Sequence, residues 1–231
     1  MSPTTAKTIA IAGFTGKMSR LITEALLRTH PEVKIHGICR TPSKVDPKFS
    51  SHPNITIFQS EATDTSALRA ALSGVSACIC CYLDLFNPQF MVEGQKTLID
   101  ACILESVPRY IASDWCMDFR GLPLGGHPAK DPMKIVYAYL EEKESEGMIK
   151  AVHILTGGFM EFFFASFLGY VDAEKGEFTY YGTGEERLDM TTMRDAANFT
   201  AEVAVDGSAN GFLNCKSIRS RIFCDREDIF S

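Results

Sequence analysis

The chain has 231 residues, a formal net charge of −6, and 45% hydrophobic, 23% charged and 10% aromatic residues, the profile of one globular domain that buries its own core. Its charges are spread along the chain without a Lys/Arg block, which argues against a nucleic-acid grip built on clustered cations. No apolar run approaches the roughly 20 residues of a bilayer-crossing helix, and the N-terminus shows no signal-type apolar region, so a cytoplasmic protein is expected.

Thr8–Ala12 reads as a short buried strand that stops at Gly13, and residues 17–28 carry helical spacing at Met18, Leu21, Ile22, Ala25 and Leu26. Lys34–Cys39 predicts a second strand closed by Arg40-Thr41-Pro42, and Ile55–Phe58 a third. A helix starts at Asp64 as its cap. Val75–Leu83 is the fourth strand, Pro88–Ser106 a helix, Tyr110–Ala112 the fifth strand, residues 131–147 a helix and Ala151–Leu155 the sixth strand. Near-continuous apolar strands alternating with helices predict a parallel sheet covered on both faces, a Rossmann-type doubly wound α/β fold. After Gly157-Gly158-Phe159 the pattern changes: Phe162-Phe163-Phe164, a strand or hairpin over 177–193, a helix over Asp195–Val205 and a last strand over 217–224. One domain over 1–231 is expected, with a core to about 156 and a small, shortened lobe from about 157 woven into the main sheet.

The eight cysteines include Cys78, Cys80 and Cys81 inside an apolar run, where thiols serve as small hydrophobes. There is no CxxC pair and the five histidines are scattered, so neither disulfides nor a metal site is expected.

The first strand runs into Gly13-Phe14-Thr15-Gly16-Lys17-Met18-Ser19, a Gly-x-x-Gly-x-x-Ser turn. Glycines there permit a sharp strand-to-helix turn and close backbone approach to a pyrophosphate, which the helix N-terminus attracts. Residues 13 to 18 are therefore the candidate dinucleotide cradle. At the end of strand two, where an acid would accept from a ribose 2′-hydroxyl, stand Arg40 and Lys44. A guanidinium pairs with a 2′-phosphate, so the expected cofactor is NADP(H). Cys81 and Tyr82 end strand four and Phe159 follows strand six, all at the edge where such a cofactor lies.

Five pieces in order carry a resemblance over almost the whole chain: Ala12-Gly13-Phe14-Thr15-Gly16, Cys39-Arg40-Thr41-Pro42, Arg109-Tyr110-Ile111-Ala112-Ser113-Asp114, Thr156-Gly157-Gly158-Phe159-Met160-Glu161 and Met193-Arg194-Asp195-Ala196-Ala197. The chain resembles the NmrA-like and isoflavone reductase-like group of atypical short-chain dehydrogenases. Two departures stand out. The reductases of the group usually carry Phe-Gly after a Ser-Glu pair, where this chain has Asp114-Trp115-Cys116. They also usually continue for several tens of residues past the last strand. An open pocket, or one completed in a homodimer, is the corresponding expectation.

The Tyr-x-x-x-Lys pair of ordinary short-chain dehydrogenases is absent; Tyr137 is followed by Glu141 and Tyr139 by Lys143. Asp131 and Pro132 read instead as N-cap and first residue of a helix, which puts Lys134 in its first turn against the helix dipole. By resemblance, isoflavone reductase-like enzymes carry their catalytic lysine here, and Lys134 matches it as proton donor near the cofactor's nicotinamide and ribose, a solvated lysine or one that only binds the ribose being the competing role. Asp114 and His127 are further acid–base candidates, His127 reading equally as a plain loop residue. Trp115, Met160 and Phe163 are candidate substrate contacts, with core packing the competing role for Trp115 and the phenylalanines. The resulting expectation is an NADPH-dependent reductase of an apolar, aromatic or polyketide-like small molecule. A non-catalytic NADP-binding redox sensor and a redox-neutral isomerase or cyclase are the two alternatives.

Overall fold

The computed structural model describes residues 7–84, 86–163, 165, 170–172, 174–179, 182–183, 186–215 and 218–221. In chain order the elements are β1 (Thr8–Ala12), α1 (Lys17–Thr29), β2 (Lys34–Cys39), α2 (Pro47–Ser50), β3 (Ile55–Gln59), α3 (Thr65–Leu72), β4 (Ala77–Cys80) and α4 (Pro88–Leu104). There follow β5 (Arg109–Ile111), α5 (Asp131–Ser145), β6 (Lys150–Leu155), β7 (Gly158–Phe159), α6 (Met160–Phe163), β8 (Val171–Asp172), β9 (Glu177–Phe178), β10 (Arg187–Thr191), α7 (Met193–Val205), β11 (Gly211–Asn214) and β12 (Ile218–Arg221).

Seven strands form a parallel sheet in the order β11-β6-β5-β4-β1-β2-β3. The chain winds outward from β1 through β2 to β3, then crosses back to lay β4 on the other side of β1. That reversal opens a crevice at the carboxyl ends of β1 and β4, the place where doubly wound sheets bind ligands. The two faces carry separate cores. Ile9, Ile11, Ala77 and Ile79 face α1 and α7 through Ile22, Leu26, Ala197 and Ala201. Ala10, Ala12, Cys78 and Cys80 face α3, α4 and α5 through Leu68, Leu98, Ile99, Val136 and Leu140. Both faces are apolar because both are covered, so these strands show no polar alternation.

The helix starts are capped where the sequence places short polar side chains. Asp64 accepts from the Ala67 N–H at 3.0 Å, Asn87 from Phe90 at 3.0 Å and Thr192 from Asp195 at 3.0 Å. At the other end of α7, the buried Arg109 donates to the Val203 and Ala204 carbonyls at 2.9 and 2.6 Å, tying β5 to a helix C-terminus where a cation is favoured.

Several expectations change. The fourth strand is only Ala77–Cys80, because the chain leaves the sheet toward α4 after Cys80. Asp131 is not an N-cap: Lys130 holds that position after a 3₁₀ turn, and the Asp131 carboxylate instead accepts from the Gly125 N–H at 3.1 Å. Lys134 is therefore the fourth helical residue. The main sheet gains β11, which pairs with β6, while β12 joins β10 and β7 in a separate three-stranded sheet. The expected last strand thus belongs to the lobe, and its residues 222–224 lie outside the described ones, as does Phe164. The seven described cysteines are free thiols, and Cys224 also lies outside the described residues.

Candidate functional site

At the end of β1, Gly13 adopts φ +79°, and a Cβ there would stand 2.8 Å from the Cys81 carbonyl oxygen. Only glycine fits a turn this close to the chain leaving β4. The Gly13 and Phe14 N–H groups both donate to the Ile38 carbonyl at 3.0 Å, and the Gly13 and Gly16 carbonyls both accept from the buried Ser19 hydroxyl at 2.9 Å. The turn is thus rigid before any ligand arrives. Gly16 is the N-cap residue of α1, with no side-chain cap, and no acid stands in the first turn. The orphan N–H groups and the dipole of α1 are left for an external anion, where α3, α4 and α7 satisfy theirs internally.

Arg40 is exposed at the end of β2, its carbonyl accepting from Gln59 at 3.2 Å, and its guanidinium has no ion-pair partner among the described residues. Lys44 is exposed on the 3₁₀ turn that follows. Thr15, Met18 and Cys81 are half-buried and Lys17 exposed, all around the same turn. Phe14 departs from its expected role: its ring is buried against the bare Gly37 backbone and packs edge-on to Phe49 at 6.1 Å, so it braces the turn from below. Burial raises the Cys81 thiol and the Tyr82 phenol well above their usual ranges, so both stay protonated and inert. They wall the crevice and supply no charge.

Lys134 is half-buried, and its ammonium donates to the Leu122 carbonyl and, at 3.2 Å, to that of Phe119. It holds the loop after β5 onto α5, beside an open pocket of about 370 Å³ lined by Arg120, Leu124, Ile135 and Tyr137. His127 stands exposed ahead of the 3₁₀ turn, and nothing in the described structure joins it to Lys134.

Two acid–base or substrate candidates are buried. Asp114 is buried, and its carboxylate meets His153 Nδ1 at 2.7 Å with both side chains 2% exposed. His153 lies stacked on Phe212 at 4.5 Å and edge-on to Tyr137 at 5.3 Å, and its Nε2 is buried without a hydrogen-bond partner. Trp115 is core, 7% exposed, with its indole N–H donating to Thr200 at 2.9 Å. Its φ is +37°, in the region that side chains rarely adopt. Beyond β6, Phe159 and Met160 are half-buried and Phe159 meets Phe162 edge-on at 5.7 Å, while Phe163 stacks on Tyr170 at 5.2 Å. These rings lie on the lobe side of the strand edge.

Three contributors escaped the sequence reading. Ser113 donates to the Tyr82 carbonyl at 2.7 Å, joining the ends of β4 and β5. Glu161 accepts from the Met193 N–H at 2.9 Å, pinning the chain after β7 to the start of α7. Leu83 and Phe86, on the loop after β4, are 61% and 99% exposed. Only exposed apolar residues next to a ligand edge signal the last pair, and sequence alone does not show exposure.

Quinone oxidoreductase 2 of Escherichia coli (strain K12) is 37% identical over 67 residues, which cover 29% of this chain and 23% of that relative. The chain thus aligns to under a quarter of that curated relative's length. The crystal structure of an NADPH-dependent quinone oxidoreductase from Escherichia coli, complexed with NADPH, superposes with a TM-score of 0.71 at 23% identity, over 90% of this chain and 68% of that one. An isoflavone reductase superposes with a TM-score of 0.66 at 17% identity, over 91% and 69%. These likenesses show a Rossmann-like fold. The model of the NmrA-like family matches residues 5–219, and the chain belongs to that family.

Proposed function

We propose that the chain is an NADPH-dependent reductase of an apolar, flat carbonyl compound, with a quinone or enone as the type of acceptor. The observation that carries the reading is the α1 N-terminus, opened by Gly13 and Gly16, left uncapped and free of acids, beside an Arg40 that has no ion-pair partner among the described residues. A pyrophosphate fits the first and a ribose 2′-phosphate the second. Gly13, Thr15, Gly16, Lys17 and Met18 surround the diphosphate, and Arg40 and Lys44 the 2′-phosphate. The similarity to the quinone oxidoreductase, whose structure holds NADPH, supports the same choice.

When bound, NADPH supplies the hydride. The chain's part is to orient donor and acceptor and to provide a proton for the reduced oxygen. Lys134 takes that part in this reading: two of its three N–H donors are held by the Phe119 and Leu122 carbonyls, which fixes the ammonium and leaves the third for a substrate oxygen. The rings of Phe159 and Phe162 and the side chain of Met160 give the acceptor an apolar surround.

The cofactor assignment is tested by fluorescence titration of NADPH and NADH into the wild type and Arg40→Ala. Loss of a charged partner for the 2′-phosphate weakens NADPH binding by about 1.5–3 kcal/mol and leaves NADH unchanged. Equal affinity of the wild type for the two cofactors would contradict the assignment.

A further inference from the structure

We infer that Phe86, with Leu83 beside it, is the wall against which the flat face of the substrate rests, and so a determinant of substrate choice. The inference rests on the proposed dinucleotide site and concerns what lies at its reducing end.

The sheet order fixes which end that is. Arg40 belongs to β2, on one side of β1, and the glycine turn belongs to β1 itself. With the 2′-phosphate on Arg40 and the diphosphate on the turn, the other half of the dinucleotide extends to the opposite side of β1, where β4 and then β5 lie. The chain leaving β4 begins in contact with the turn: the Cys81 N–H donates to the Ala12 carbonyl at 2.8 Å. Two residues later it stands proud of the sheet edge at Leu83.

The loop is built to hold this position. The Asp84 carboxylate accepts from the N–H groups of Phe86 and Asn87 at 3.0 and 3.1 Å, and the Asn87 side chain caps α4. Tyr82, which precedes the loop, is anchored through its carbonyl by Ser113 and through its ring by Phe90 at 5.5 Å. The turn closed by Asp84 thus presents a phenyl ring that is 99% exposed. A ring in that state contributes nothing to the core, and its face offers what a planar aromatic molecule stacks on. Further aromatic groups follow the carboxyl end of β6 in the chain, Phe159 on β7 and Phe162 on α6, which meet edge-on at 5.7 Å. The expected occupant is therefore a fused or substituted aromatic carbonyl compound, with affinity that grows with its ring area.

Calorimetric titration of menadione into protein held in excess NADP⁺ tests this without turnover. Phe86→Ala binds about 10-fold more weakly than wild type, a loss of about 1.4 kcal/mol, while Phe86→Tyr and Leu104→Ala, the latter exposed at the opposite end of the sheet, stay within about 2-fold. Because the Phe86 side chain touches almost nothing, the unfolding midpoint of Phe86→Ala matches wild type, and a fold defect does not confuse the result. Unchanged menadione affinity in Phe86→Ala, or no binding to wild type, overturns the inference. A change of oligomeric state in Phe86→Ala also overturns it, since a second copy would then be the occupant. If wild type binds menadione with the predicted dependence on Phe86 but never oxidises NADPH with it, the reductase reading fails and the wall stands.

Discussion

Asp114 and His153 illustrate what a residue's neighbours decide. The sequence places Asp114 at the ligand edge of the sheet, and its backbone is there, yet its carboxylate turns inward to His153 at 2.7 Å. What accompanies that direction is the packing of His153 on β6 between Tyr137 on α5 and Phe212 on β11, contacts made by elements that follow β5 in the chain. Removing the carboxylate leaves both His153 nitrogens buried and unpaired. Asp114→Ala is therefore expected to lose about 1–3 kcal/mol or more of stability by urea unfolding, with NADPH affinity unchanged. Asp114→Asn, which retains an oxygen acceptor for Nδ1, loses less. Full stability in Asp114→Ala combined with lost turnover would return the residue to the chemistry.

The elements of the sheet were legible because β1, β2, β4 and β6 are apolar runs buried on both faces, and the glycine turn because its conformation follows from Gly13. β11 was not: four residues that open on a glycine at φ +67° and end on an exposed asparagine carry no strand signal, and pairing with β6 alone makes them one. The start of α5 was misread by one residue because Asp131 had a better use, the Gly125 N–H, that only the folded loop provides. Burial pushes the Cys80 thiol up to about 12, and a hydrogen bond with Cys102 together with burial raises the Cys78 thiol well above its usual range. In the unfolded chain these thiols ionise near 9.0. Above that pH the unfolded state releases protons that the native state keeps, so stability falls as pH rises from about 9 toward about 12. The urea midpoint is expected to decline over this range and to decline less in Cys80→Ala; a midpoint that holds or rises above pH 9 contradicts the buried-thiol account.

At the scale of the molecule, the parallel sheet sets the glycine turn at the end of β1 beside the ends of β2 and β4, which lead to Arg40 and Leu83; Lys134 and the Phe159–Phe163 rings are what the proposed function adds to that edge. The alternation of apolar runs with helices predicted a parallel sheet, but the order of its strands, which sets β1 between β2 and β4, was not legible in it. The α7 C-terminus, held by Arg109 at the opposite end, takes no part. The central claim is that this edge turns over NADPH. The most direct measurement is the loss of NADPH absorbance on adding a quinone to wild type and to Lys134→Ala. The account predicts quinone-dependent oxidation by wild type, slower with NADH, and a fall of about 100-fold or more in kcat for Lys134→Ala with NADPH binding retained. Tight NADPH binding by wild type with no oxidation by any quinone or enone would contradict it.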